Sequence, residues 1–159
     1  MKSYFLAGGL SIIAILNSCK TPAGEDDVAA FLSKHMVELP SADERTSKYF
    51  NASKRQVSLL VDCKGEIYYI DIGEKNVSKI DDVDALLKRC VETWGVDFPI
   101  VLYIDKNANY AKTQELMSIC KKYKFMRILL CASLGDKVIY ISIPLSSHRL
   151  LKRLISSHS

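Results

Sequence analysis

Three aspartates, five cysteines and three histidines are the side chains of this 159-residue chain with types and positions that could do chemistry. Asp62, Asp71 and Asp105 each fall at the end of an apolar run, where strands would end. Brought together at one end of a sheet they would form an acidic site, and Asp62 with Asp105 could act as the carboxylate pair of a cell-wall sugar hydrolase. The local alternative is that such aspartates accept backbone N–H bonds and hold the loops after their strands. For Asp105, ahead of a second helix, this is the expected role. His35, His148 and His158 are far apart and make no pair at metal-ligand spacing. No glycine-rich phosphate loop and no G-x-S-x-G elbow occur. No enzyme, cofactor or metal site is therefore expected, and Tyr110 is expected to pack against the sheet rather than serve as an acid or base.

The cysteines divide into one and four. Lys2 gives a positive start, Leu6–Leu16 a short apolar core, and Leu16-Asn17-Ser18-Cys19 closes it with small residues before a thiol. The core is shorter than the roughly 20 apolar residues that cross a bilayer of about 30 Å. The arrangement resembles the lipobox of bacterial lipoproteins, making Cys19 a lipid-attachment site and the first mature residue. An ordinary secretory signal and an uncleaved membrane anchor are the alternatives. Cys63, Cys90, Cys120 and Cys131 form no C-x-x-C pair and fall on apolar positions. They are expected to be buried free thiols packing as small hydrophobes. An exported compartment also permits disulfides among them, in any of three pairings.

The elements around these residues define the organisation. A composition 48% hydrophobic and 25% charged suits one globular domain with a substantial core. The net charge of +4 is dispersed, with no aromatic-interleaved basic stripe, so nucleic acid is not an expected partner. The reading is 1–18 signal peptide, 19–56 tether, 57–145 domain and 146–159 C-terminal amphipathic helix. Within the tether, Val28, Phe31, Leu32 and His35 are spaced for a short helix over about Val28–Met36, stopped ahead of Pro40. Val57–Cys63 alternates as a strand, Lys64-Gly65 turns the chain, and Glu66–Ile72 returns. Ser78 is the expected cap of a helix whose apolar face runs from Ile80 to Trp94, ending at Gly95. Ile100–Ile104, entered through Pro99, is apolar throughout, as in a strand covered on both faces. Asn109 caps a second helix, and strands follow at Met126–Ser133 and Lys137–Ile143. The expected class is α+β, a two-layer sandwich in the order β-β-α-β-α-β-β-α.

Across about residues 37–133 this order resembles the periplasmic domain of the ExbD/TolR family of biopolymer transport proteins. Val37-Glu38-Leu39-Pro40 is similar to the family's Leu-Pro element, and Asp62-Cys63-Lys64-Gly65-Glu66-Ile67-Tyr68 to its first hairpin. Val77-Ser78 with Val83, Leu86 and Leu87 resembles the opening of its first helix. Pro99-Ile100-Val101, Asp105, Tyr110 and Lys112 fit its signature strand, loop and second helix, which makes Gly65, Pro99, Asp105 and Tyr110 structural signature positions. The resemblance implies non-enzymatic work beside TonB- or Tol-type motor components, a homodimer, and contact with partners or peptidoglycan in the cell envelope. Members also carry a membrane helix with a proton-handling aspartate. Here Asp26 and Asp27 precede a stretch too short to span and broken by Lys34. The expectation is therefore an envelope lipoprotein, lipid-anchored with its domain in the periplasm, that acts by binding. The alternative is a full transporter subunit with an uncleaved anchor.

Overall fold

The computed structural model describes residues 25–42, 56–71, 76–135, 137–144, 149, 152, 153 and 155. The expected signal peptide and Cys19, and much of the tether and of the 146–159 helix, lie outside the described residues.

Helix α1 (Glu25–Lys34) opens the described chain. It stops because Met36 takes a left-handed conformation (φ 52°) and Val37 N–H reaches back to the Leu32 carbonyl at 3.0 Å. Strands β1 (Val57–Val61) and β2 (Ile67–Asp71) form the expected hairpin, with Val61 opposite Ile67. Strand β1 ends two residues before the expected boundary, because Asp62 already turns the chain.

The expected start of the next helix is corrected. Asn76–Lys79 is a strand, β3, paired antiparallel to β2 with Ser78 opposite Tyr69. Helix α2 (Val83–Trp94) begins later, where Asp82 rather than Ser78 caps it by accepting the Ala85 N–H at 2.9 Å. The extended pairing of β3 removes Ser78 from the helix altogether. Gly95 ends α2 as expected, at φ 79°. Strand β4 (Ile100–Ile104), helix α3 (Tyr110–Lys122, capped by Asn109), and strands β5 (Ile128–Leu134) and β6 (Lys137–Ser142) complete the order.

Among the described residues one sheet results, in the order β3-β2-β1-β4-β5-β6. The central strands β1, β4 and β5 are parallel, and β2 and β6 flank them antiparallel. Alternate side chains serve two cores. Leu59, Leu102 and Leu130 pack with Leu86, Leu87, Leu116 and Cys120 of α2 and α3. Leu60, Tyr103 and Cys131 face the other way, against Val28, Phe31 and Leu32 of α1. The α+β class is therefore the observed one, with the sheet and the α2/α3 layer as its main body. The segment expected to be tether adds α1 as cover for the second face, since strands apolar on both sides need cover on both sides. His35, expected on the apolar face of α1, is exposed. Of the C-terminal stretch, Arg149, Lys152, Arg153 and Ile155 are helical, and Ile155 is buried on the α2/α3 side.

Cys90, Cys120 and Cys131 are buried thiols, whereas the Cys63 thiol is exposed in the β1–β2 turn rather than on a strand. Burial pushes the Cys120 thiol up to about 12 and raises the Cys131 thiol well above its ordinary range. Among these four, a thiol reagent at pH 8 is expected to modify Cys63 within seconds. The other three should react only on denaturation. Thiol counting in native and denatured Cys19→Ala protein checks this, and fast reaction of two or more thiols contradicts it.

Candidate interaction surface

The ends of the parallel strands gather most of the residues singled out by the sequence. Asp62 follows β1, and one carboxylate oxygen accepts the N–H groups of Lys64 and Glu66 at 2.9 and 2.8 Å. Its backbone adds Gly65 N–H to Asp62 carbonyl at 2.9 Å. These bonds close the hairpin turn, which leaves Gly65 buried at φ 79° beneath α3. A Cβ at Gly65 would stand 2.9 Å from Cγ of Lys112. Gly65→Ala is expected to cost about 1–2 kcal/mol, because the left-handed backbone and the Lys112 contact both oppose a side chain. Urea midpoints would show it; an unchanged midpoint removes the close-approach argument.

Asp105 follows β4 and is buried at 4% exposure. Oδ1 accepts Asn107 N–H at 2.8 Å and Oδ2 accepts Glu38 N–H at 3.1 Å, across 67 residues of sequence. Lys106 N–H returns to the Glu38 carbonyl at 2.7 Å, and the Lys106 ammonium pairs with the Glu38 carboxylate. Beyond, Ser133 N–H reaches the Pro40 carbonyl at 3.0 Å and Ala42 N–H the Ser133 carbonyl at 2.9 Å. Residues 38–42 thus fill the place beside β5 that β4 leaves when it turns away at Asp105. Pro99, which has no N–H to place, is buried ahead of β4, and its carbonyl accepts Val57 N–H at 3.1 Å. Tyr110 opens α3 and packs, partly buried, against the α2/α3 core.

The three aspartates do not converge. Strand β2 runs antiparallel to β1, so Asp71 at its end lies at the opposite side of the sheet from Asp62. Asp62 and Asp105 share one end, but each is committed to backbone N–H groups. The arrangement supports loops and offers no carboxylate pair aimed at a common point. Among the described residues, no His, Cys, Asp and Glu cluster is placed to hold a metal ion.

A groove of about 280 Å³ lies between the β1–β2 turn, the β3–α2 link and α3. Ile67, Ile80 and Ile119 contribute to its apolar floor. Its rim carries the pairs Glu66 with Lys79 at 2.6 Å, Glu115 with Lys112 and Asp84 with Lys122 both at 2.8 Å, together with Asp81 and the α2 cap Asp82. The Lys79 hydrogen bond holds the Glu66 carboxyl below its usual range. Tyr68 donates to Glu66 at 2.7 Å, and that bond, with burial, pushes the phenol up to about 12. The phenol stays a neutral donor at pH 7. The Glu66–Lys79 and Asp84–Lys122 pairs join β2 to β3 and α2 to α3 only through the fold, whereas Lys112–Glu115 is a local i,i+3 pair within α3.

The two sheet edges differ. Strand β3 is four residues long and ends at Lys79, the kind of short, charged edge that resists pairing. Strand β6 is six residues and carries no strand on its outer side among the described residues. Ile143 N–H is donated inward to the Ile128 carbonyl at 2.9 Å. By strand alternation the N–H groups of Ser142 and Val138 point outward. This edge is the most extended backbone surface that the described fold offers to a partner.

Among the described residues no helix is long and apolar enough to cross a membrane. Residues 28–134 match the family model described as Biopolymer transport protein ExbD/TolR, a span that starts in α1 and ends with β5. No curated protein and no solved structure matches the chain.

Proposed function

The chain belongs to the ExbD/TolR family of biopolymer transport proteins, and from that premise we propose an envelope lipoprotein that acts by binding. The family is associated with the cell envelope and with energy transduction for biopolymer transport. In this proposal Cys19 carries the lipid and the domain stands in the periplasm. It accompanies TonB- or Tol-type motor components, or peptidoglycan, without catalysing a reaction. The observation that carries the reading is the place of α1. In the family a membrane helix precedes the Leu-Pro element; here the residues before Leu39-Pro40 form a ten-residue helix packed on the sheet. A helix of that length spans about 15 Å, half a bilayer core, and its apolar side is already occupied. In this reading membrane attachment is the role of Cys19. Proton coupling, which needs a carboxylate inside the membrane, is not part of the proposed role.

Binding would use the β6 edge, either to a second copy of the chain or to an extended partner segment, since an open strand adds another by main-chain hydrogen bonds. Ser142→Pro tests this, because it removes an outward N–H while sparing the β5–β6 ladder. Light scattering of wild type should report a dimer, and of the variant a monomer with unchanged circular dichroism. A variant that remains dimeric rules out edge pairing. For the anchor, labelled fatty acid should enter wild type and be lost in Cys19→Ala. An unlabelled, full-length protein in the inner membrane would instead favour the stator subunit with its apolar N-terminus retained.

A further inference from the structure

Docking of α1 changes how far this domain can stand from its anchor. A tether running from Cys19 to the first strand at Val57 would contain 38 peptide steps. Fully extended it would reach over 130 Å, and as a flexible coil about 34 Å on average. The structure shortens that leash twice. Val28, Phe31 and Leu32 are buried against the sheet at 1, 5 and 4% exposure. Residues 38–42 are then fixed by the Glu38–Asp105 bond and by the two backbone bonds to Ser133. Six peptide steps remain between Cys19 and Glu25, a reach of at most about 21 Å whatever their conformation.

We infer that α1 is a strap that confines the domain to the surface of the membrane holding Cys19. The partner it binds must then be presented at that same surface. The inference rests on the proposed acylation of Cys19 and adds to it the location of the partner. A domain of this size is about 35 Å across. With a 21 Å leash, no part of it stands more than about 60 Å from the lipid. A partner fixed to an opposite boundary would have to extend towards it.

The test uses the full-length acylated protein on lipid vesicles. A donor dye sits on Cys63, the exposed thiol of the β1–β2 turn, and a short-range acceptor on the lipid headgroups. A comparison variant carries 36 Gly/Ser residues inserted between Ala23 and Gly24, upstream of α1, so the folded domain is untouched. Energy transfer in wild type should be strong, and in the insertion variant less than about half as efficient, as a further coil of about 33 Å requires. Phe31→Asp, which releases α1, should fall towards the insertion value. Equal transfer in wild type and the insertion variant overturns the strap while leaving the anchor intact. Wild-type protein that incorporates no fatty acid and does not float with vesicles overturns the anchor itself, and the two failures are thereby distinct.

Discussion

Phe31→Ala should lower stability by about 3 kcal/mol. The side chain is 5% exposed, in one cluster with Leu60, Tyr103 and Cys131. Truncation removes buried apolar area and leaves a cavity that a ten-residue helix cannot close by collapsing, since Val28 and Leu32 already hold it. Equilibrium urea unfolding would register the loss as a shifted midpoint at constant slope. Native Cys131, which lies beneath α1, should at the same time become accessible to thiol reagents. Were residues 19–56 a solvated tether, the substitution would cost less than about 0.5 kcal/mol, as surface changes do. The two architectures differ by several-fold in this one measurement.

Asp105→Ala should cost about 2–4 kcal/mol. The carboxylate accepts two backbone N–H groups, from Asn107 and from Glu38, and hydrogen bonds to charged groups contribute about 1.5–3 kcal/mol each. Its removal leaves both donors in a site where the aspartate itself is almost fully buried. Asp105→Asn keeps one acceptor oxygen and should recover about half of the loss. A hydrolytic role would give another pattern: activity lost with Asn while stability stayed close to wild type. Because Glu38 N–H is one of the two donors, hydrogen exchange at residues 37–42 should also rise in the alanine variant. Unchanged exchange there would mean that the bonds to Lys106 and Ser133 hold the Leu-Pro segment without Asp105.

The β1–β2 hairpin, the strand at Ile100–Ile104 and the helix capped by Asn109 were readable in the sequence because their signals are local. Alternation, a turn glycine and a capping side chain act within a few residues of one another. The error at Ser78 has the same root. Ser78 and Asp82 are both acceptable caps, and only the pairing of Val77 with Ile70 and Ser78 with Tyr69 decides that the first is in a strand. The misplacement of Cys63 followed from extending β1 by alternation through a residue that the Asp62 side chain had already bent into a turn. The grouping of Asp62, Asp71 and Asp105 could not be judged from sequence, since three strand ends look alike until strand direction is known. The antiparallel β2 sends Asp71 away.

Residues 25–42 give the clearest division between the two kinds of information. Val28, Phe31 and Leu32 were legible as the apolar side of a short helix, and Ile100–Ile104 as a strand apolar on both faces, because each pattern lies within one short stretch. The family pattern over residues 28–134 was legible too, because the Asp62 turn, the Asp105–Asn107 bond and the Asn109 cap each act within a few residues. Only the tertiary structure joined the two apolar surfaces, since water penalises each one separately and nothing in either stretch names the other. The same physics explains the Glu38–Asp105 bond. A buried carboxylate needs donors, and which donors reach it is decided by the fold across 67 residues.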